Sequence, residues 1–255
     1  MQAMIFAAGK GTRLKPLTDV IPKALVPVGD KPLIQLVMDR LEQAGAQQVV
    51  VNVHHHAGQI KNFIRLAQGH YHFNITVSDE SEALLETGGG IKKARKLFSD
   101  AEAPVLIHNV DIISNVDLKT FYNESRGNDA TLLVSWRQTQ RYLLFNEDMR
   151  LVGWTNIATG EVKSPYPGVM AMNGNKEAVA EAFAGRMYAF SGIHSFSPKL
   201  FALMEKWPER FPIMDFYLHH CAEVGIKGVV KSDLKLLDVG KLDTLAAAED
   251  FMKGL

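Results

Sequence analysis

Apolar runs and helical periodicities alternate along the first third of the chain. Residues 4–8 are apolar throughout and end at a glycine, which is typical of a buried strand that enters a tight turn. Residues 47–53 and 73–77 are runs rich in β-branched side chains, and residues 57–67 carry apolar side chains at helical spacing. The apolar positions of an earlier helix are Ile34, Val37, Met38 and Leu41. Strands that alternate with helices predict a parallel, doubly wound sheet.

The pattern changes in the second half of the chain. Residues 141–145 and 150–155 flank a polar turn and predict a β-hairpin, and an apolar run at residues 187–193 predicts another strand. We therefore predict an α/β fold with a single doubly wound, mostly parallel sheet flanked by helices. Residues 1–255 form one domain in this prediction, and residues 137–190 form a small β-rich insertion or lid within it.

Composition narrows the class of protein. The chain has 255 residues, 47% of them hydrophobic and 22% charged, as in ordinary globular domains. Its 28 basic and 28 acidic residues cancel, so the basic footprint of a nucleic-acid-binding protein is absent. A single cysteine, Cys221, excludes a disulfide framework. We find no signal-peptide pattern and no apolar run of about 18 residues, so we expect a cytoplasmic protein without a membrane partner.

The glycine loop after the first strand is the strongest candidate for chemistry. Gly9 and Gly11 allow the backbone to approach an anion, and Arg13 and Lys23 follow as cations that suit phosphate. A dinucleotide fingerprint requires a third glycine where Leu14 stands, and a P-loop requires serine or threonine where Gly11 follows the lysine. Taken alone, the loop is compatible with either a phosphate-binding site or a plain tight turn.

A longer stretch carries a family resemblance. Residues 7–28 contain A-A-G-K-G-T-R-L-K-P-L-T and, further on, P-K-A-L-V-P-V. This stretch resembles the signature of the sugar-1-phosphate nucleotidylyltransferases, although Ala24 stands where the family more often has proline. The chain is most similar to the short, single-domain N-acetylmuramate 1-phosphate uridylyltransferases and to their mannose- or heptose-1-phosphate guanylyltransferase relatives.

The resemblance implies an enzyme that transfers a nucleotidyl group from a nucleoside triphosphate to a sugar 1-phosphate. The products are a nucleoside-diphosphate sugar and pyrophosphate. It implies Arg13 and Lys23 as catalytic residues. The nucleotide-binding residues that it implies in the glycine loop are Ala7, Ala8, Gly9, Gly11, Thr12 and Arg13.

A second glycine-rich stretch resembles the family segment that contacts the base. Residues 84–90 read L-L-E-T-G-G-G, and we expect a helix from residue 91 to about 98 after exposed glycine N–H groups. The resemblance implies Glu86 and Gly88 as base contacts. It is closest to the uridylyl-transferring members, so UTP is favoured, with guanylyl transfer to mannose or heptose 1-phosphate as the alternative.

Two aspartates at strand ends are candidate metal ligands. Asp111 follows the strand at 104–109 in the string N-V-D, where relatives commonly have N-G-D, and Asp238 opens D-V-G. The resemblance implies that both hold Mg²⁺ as the cofactor.

The sugar side of the site is less complete. The resemblance implies Asn109, Ser191 and Gly192 as sugar contacts and makes the insertion a sugar-facing lid. Many relatives carry Glu-Lys-Pro there, whose lysine holds the sugar phosphate, but this chain has Trp154-Thr155-Asn156 and an out-of-register Lys163. That cation is unassigned. A catalytically weak regulator that binds a nucleotide sugar is a second hypothesis, and we expect a monomer or a homodimer.

Overall fold

The computed structural model describes residues 1–255 and contains strands and helices in alternation. The strands are β1 (Gln2–Phe6), β2 (Pro27–Val28), β3 (Lys31–Pro32), β4 (Gln48–Val53), β5 (Asn74–Asp79), β6 (Val105–Asn109), β7 (Ile112–Ser114), β8 (Ala130–Ser135), β9 (Arg141–Phe145), β10 (Leu151–Asn156), β11 (Val162–Lys163), β12 (Met187–Phe196), β13 (Ile226–Val230) and β14 (Leu236–Asp238). The helices are α1 (Leu33–Gln43), α2 (Ala57–Ala67), α3 (Glu86–Ala94), α4 (Leu118–Glu124), α5 (Pro167–Met170), α6 (Lys176–Ala182), α7 (Phe201–Met204), α8 (Ile213–His220) and α9 (Leu242–Lys253).

Ten strands form one large sheet. Its order is β11-β10-β9-β12-β6-β1-β4-β5, and β8 and β13 extend it from β12. β1 runs parallel to both β4 and β6, β4 runs parallel to β5, and β13 runs parallel to β8. β12 is antiparallel to β6, β8 and β9, and the predicted β-hairpin, β9 and β10, is antiparallel as well. The α/β fold with one large sheet flanked by helices is confirmed.

Both faces of the sheet are covered, and this explains the uninterrupted apolar strands. Along β1, Ala3 and Ile5 belong to one hydrophobic cluster while Met4 belongs to the cluster on the opposite face. In β4, Val49 and Val50 divide in the same way. Strands buried on both faces lose the polar alternation of half-exposed strands.

The start of α3 differs from the sequence prediction. The helix begins at Glu86 and includes all three glycines, whereas we predicted a start at residue 91. Close packing explains the difference: a Cβ on Gly88 would lie 2.3 Å from the Phe211 ring, and one on Gly89 would lie 2.1 Å from the Glu209 carbonyl oxygen. The glycines therefore allow close approach within a helix, although they are poor helix formers.

A small second ladder connects the two predicted metal ligands. β7 and β14 pair antiparallel, with Asp238 opposite Ile112, and the Val239 N–H donates to the Asp111 carbonyl at 2.8 Å. The guanidinium of Arg40 on α1 anchors β7 by donating to the Ser114 carbonyl at 2.6 Å. Two aspartates 127 positions apart in sequence are therefore held side by side.

The insertion contains the predicted hairpin, now β9 and β10, followed by β11, α5 and α6. It joins the sheet through β9 and β12 and encloses a small apolar cluster of its own: Leu144, Val162, Val179 and Phe183. None of the helices has both the length and the apolar character needed to cross a membrane.

Candidate functional site

A cavity of about 220 Å³ opens where β1, β4 and β6 end. The carboxyl ends of parallel strands are the usual ligand-binding edge of such sheets. The predicted site residues that line this first cavity are Ala7, Ala8, Gly9, Lys23, Glu86, Asn109 and Asp111. Sequence reasoning did not select the other residues that line it: Phe6, Asn52, Leu84, Thr87 and Val110.

The glycine loop is folded tightly beside this cavity. Gly11 has φ of 63°, and a Cβ there would lie 2.8 Å from Thr18 Cγ2, so glycine is required on both counts. The Thr18 hydroxyl donates to the Gly11 carbonyl at 2.8 Å and holds the loop in place. A Cβ on Gly9 would have no neighbouring atom within 4 Å, so the backbone of this glycine is accessible. Thr12 and Arg13 begin a short 3₁₀ turn beyond the cavity lining.

Four charged side chains converge beside the cavity; Lys23 and Asp111 line it, and Arg13 and Asp238 lie outside its lining. The Lys23 ammonium contacts Asp111 Oδ2, and the two side chains are only 12% and 15% exposed. Arg13 reaches the same place, because Arg13 Nη2 and Asp238 Oδ1 lie 2.4 Å and 2.6 Å from the point that a Gly240 Cβ would occupy. Gly240 thus leaves room for the arginine beside the second carboxylate. The structure brings Arg13, Lys23, Asp111 and Asp238 together.

The environment of Asp238 suits a bound cation. Burial raises the pKa of Asp238, the negative charge of Asp111 raises it further, and Lys23 and Arg13 oppose the shift. Asp238 Oδ1 is buried and has no hydrogen-bond partner. Two oxygen ligands match the hard-cation preference of Mg²⁺, which commonly takes one or two carboxylates and completes its shell with phosphates and water. The residues present therefore fit the magnesium site that the sequence predicts.

Val110 lines the first cavity, but its side chain packs mainly into the core. Its side chain is 4% exposed and belongs to the hydrophobic cluster that also contains Ile112 and Val116. The valine that replaces the family's common glycine is thus accommodated by the core.

Residues 84–87 begin the stretch that resembles the family's base-contacting segment and are called the base segment below; Leu84, Glu86 and Thr87 line the cavity. Glu86 has φ of 64°, and its carboxylate lies 3.0 Å from the Arg210 guanidinium. Gly88 lies outside the cavity lining, and its N–H donates to the Phe211 carbonyl at 2.8 Å. The glycine N–H groups that we expected to face a base are therefore inside a packed helix.

The predicted sugar contacts are divided between two environments. Gly192 has φ of 74° at a register shift in β12, and a Cβ there would lie 3.0 Å from Asn109 Nδ2. Asn109 lines the first cavity. Ser191 does not, because its side chain is buried 3.4 Å from the Ser135 hydroxyl.

A second cavity of about 560 Å³ lies between the insertion and α8. Its charged and aromatic residues include Arg137, Arg141, Trp154, Lys163, Phe190 and Asp215. Lys163 Nζ lies 5.4 Å from the Trp154 ring centroid. The two cavities share a wall. Thr87 lines the first cavity, and its hydroxyl accepts a hydrogen bond from the Ile213 N–H at 2.8 Å. The neighbours of Ile213 in sequence, Pro212 and Met214, line the second cavity. Arg137 and Arg141 lacked a motif that could have identified them.

Comparisons with known proteins agree with this fold. Two solved structures share the fold of this chain. The crystal structure of a Bacillus anthracis protein named as a glucose-1-phosphate thymidylyltransferase, in complex with sucrose, has a TM-score of 0.77 at 17% identity. The match covers 100% of this chain and 96% of that one. HddC from Yersinia pseudotuberculosis, complexed with GMP-PN, has a TM-score of 0.70 at 21% identity, covering 98% and 99%.

The family follows from sequence. The nucleotidyl transferase family model matches residues 2–142, so the chain belongs to this nucleotidyl transferase family. It is 46% identical over 112 residues to the N-acetylmuramate alpha-1-phosphate uridylyltransferase of Caulobacter vibrioides, over 44% of this chain and 46% of that protein.

Two other relatives are named for different activities. The UTP-glucose-1-phosphate uridylyltransferase of Synechocystis is 29% identical over 207 residues, covering 78% of this chain and 50% of that protein. Mannose-1-phosphate guanylyltransferase 1 of Arabidopsis thaliana is 34% identical over 138 residues, covering 53% and 38%. The matched part of the chain spans half or less of the length of each of these curated relatives.

Proposed function

We propose that this protein transfers a nucleotidyl group, with UTP favoured as donor, to a sugar 1-phosphate and releases pyrophosphate. The convergence of Arg13, Lys23, Asp111 and Asp238 beside the glycine loop carries the proposal. The names of the three relatives support the reaction class: two are uridylyltransferases and one is a guanylyltransferase, which keeps GTP as the alternative donor.

The reaction requires little covalent chemistry from the protein. An oxygen of the sugar phosphate, already anionic near pH 7, attacks the α-phosphorus in line, and the bond to the pyrophosphate oxygen breaks. The attacking oxygen carries no proton, so no general base is required. The barrier comes from repulsion between two anions and from charge that develops on the leaving pyrophosphate. Fixed cations lower such barriers most effectively in a partly desolvated site.

The charged residues divide this work. Arg13 and the accessible Gly9 backbone suit the triphosphate and the departing pyrophosphate, and Lys23 suits the α-phosphate or the incoming sugar phosphate. Asp111 and Asp238 would hold Mg²⁺, which supplies neutralising charge next to the reacting phosphates when bound.

The second cavity is our proposed sugar side of the site. Lys163, Arg137 and Arg141 are the cations available there to hold a sugar phosphate in the absence of the Glu-Lys-Pro lysine. Asn109 and Gly192 adjoin the first cavity and suit contacts with the sugar near the reacting phosphate.

Pyrophosphate release tests the proposal. The protein is incubated with Mg²⁺, each of UTP, GTP, CTP, ATP and dTTP, and a panel of sugar 1-phosphates, with Asp111→Asn as the blank. We expect release for one donor and acceptor pair and none from the variant. No release for any pair, together with tight binding of nucleotide sugars, would contradict the enzyme and favour the binding regulator. A cytoplasmic location and a monomeric or homodimeric state remain predictions.

A further inference from the structure

A buried polar pair lies beneath the first cavity. Asn52 stands near the end of β4 and Glu80 directly follows β5, and the two residues are 3% and 0% exposed. The Asn52 amide nitrogen donates to Glu80 Oε1 at 2.8 Å. Glutamate is almost never fully buried without partners, so this pair requires an explanation.

The other atoms of the pair reach the two walls of the cavity. Asn52 Oδ1 accepts from the Ala7 N–H at 2.8 Å, and Glu80 Oε2 accepts from the Leu85 N–H at 3.3 Å. The backbone N–H of Ala7 can only donate, so the orientation of the asparagine amide is unambiguous. A continuous chain of hydrogen bonds thus joins the start of the glycine loop to the base segment.

α3 packs directly against this pair. A Cβ on Gly90 would lie 2.9 Å from Glu80 Oε1 and 3.0 Å from Asn52 Nδ2, so a larger residue would crowd the pair. Burial raises the pKa of Glu80, while hydrogen bonds from Asn52 and Leu85 favour its charged form. The charged form provides the acceptors that the two donors require.

We propose that Asn52 and Glu80 are positioning residues that fix the distance between the glycine loop and the base segment and thereby control nucleotide affinity. The proposal rests on the proposed function, in which the first cavity takes the nucleoside triphosphate. A pair that served only the stability of the fold would affect both substrates alike. A pair that spans the nucleotide cavity affects the nucleotide alone, because the cations of the second cavity lie on other elements.

The first test is Glu80→Gln. The side chain keeps its shape, but one of its two acceptors becomes an NH₂ group that faces a donor. We expect the Kd for the favoured nucleoside triphosphate, measured by calorimetry without sugar phosphate, and its KM to rise by about tenfold. The kcat and the KM for the sugar phosphate stay within about twofold. Glu82→Gln is the matched control, because Glu82 is exposed in the same loop.

The second test is a rescue by exchange. In the double variant Asn52→Asp, Glu80→Gln, the new carboxylate accepts from the Ala7 N–H and from the new amide, whose oxygen accepts from the Leu85 N–H. Every hydrogen bond and the net charge are restored. We expect the double variant to bind the nucleotide within about twofold of the wild type.

Three results would overturn the proposal: a folded Glu80→Gln protein with unchanged nucleotide affinity, an equal rise in both KM values, or a folded double variant whose nucleotide affinity is not restored. Should Glu80→Gln fail to fold, the double variant alone decides. A wild-type protein that binds nucleotide but releases no pyrophosphate would refute the reaction and leave the affinity comparison valid.

Discussion

His108 and His194 are two imidazoles enclosed by the core of the sheet. His108 is 0% exposed and His194 1%, and the Nε2 atom of each is buried without a partner. Burial lowers the pKa of His108 to about 4 and that of His194 to about 3. Both rings are therefore neutral in the folded protein near pH 7, and neither carries charge to the neighbouring site.

These histidines make the protein sensitive to acid. Their folded pKa values lie below the unfolded value near 6.5, so the unfolded chain binds protons first as the pH falls. Stability is lost from about pH 6.5 downwards, by about 2 kcal/mol per histidine at pH 5. Denaturant unfolding at pH 7 and pH 5 measures the loss. His194→Gln should reduce it by about half, whereas the exposed control His70→Gln should leave it unchanged; equal losses in all three proteins would contradict the prediction.

Arg13 should matter for turnover far more than for folding. Its side chain is exposed and lies beside Asp238, so Arg13→Ala removes a fixed positive charge without opening the core. We expect kcat/KM for pyrophosphate release to fall by about 100-fold or more, corresponding to ~3 kcal/mol. Lys15→Ala, two residues further and paired with Asp19, is the control. Near-native turnover of the Arg13 variant would remove Arg13 from the proposed mechanism.

Individual residues also mark the limit of what the sequence predicts. Lys23 was identified by its place after the glycine loop together with the family resemblance, and Asn109 by the resemblance. Asp111 was identified because a carboxylate at the end of a central parallel strand lies at the ligand-binding edge of such a sheet. Asn52 and Glu80 were not, since their partnership depends on the register of β4 and β5 and on the close approach of α3. Neither quantity can be obtained from the spacing of residues along the chain.

At the scale of elements, the strands and amphipathic helices were largely predictable and α3 was not. Apolar period and turn residues identify β1, β4 and α2 because burial alone determines them. Three consecutive glycines normally indicate the end or absence of a helix. In α3, contact with residues 209–211 outweighs that local preference.

The packing of α3 leads to a stability prediction. Gly89→Ala places a methyl group 2.1 Å from the Glu209 carbonyl oxygen, so we expect a loss of about 2 kcal/mol or more in unfolding free energy despite the better helix propensity of alanine. Gly58→Ala in α2 is the matched control, because its Cβ meets nothing within 4 Å. It should be neutral or stabilising by up to about 1 kcal/mol. Equal changes in unfolding free energy at the two positions would contradict the prediction and show that α3 can shift to accommodate the methyl group.

The whole molecule divides its proposed tasks between the two halves of one sheet. The parallel half, β1, β4, β5 and β6, carries the first cavity, and the antiparallel half around β9 and β10 contributes the second. β12 joins them, with a register shift at Gly192. The α/β class followed from the alternation of elements, but the mixed pairing did not, because the insertion lacks a strong periodic pattern.

Metal removal should separate activity from stability at this scale. We expect EDTA to abolish pyrophosphate release and added Mg²⁺ to restore it, because neutralising charge is required at the reacting phosphates. The thermal midpoint without nucleotide should change by less than about 2 °C, since Lys23 already compensates Asp111 within the fold. Full turnover in EDTA would contradict the proposed magnesium role, and a large drop in the midpoint would indicate a structural metal instead.

The glycines in the string Glu-Thr-Gly-Gly-Gly are explained by the packing of α3. Each of Gly88, Gly89 and Gly90 is required by a neighbour that belongs to this protein, namely Phe211, Glu209 and the Asn52–Glu80 pair. In this chain the string therefore reflects a helix that packs against backbone and a buried carboxylate, and these contacts do not involve a base. We therefore expect the donor preference of this protein to depend on the residues that line the cavity, Leu84, Glu86 and Thr87, more than on the three glycines.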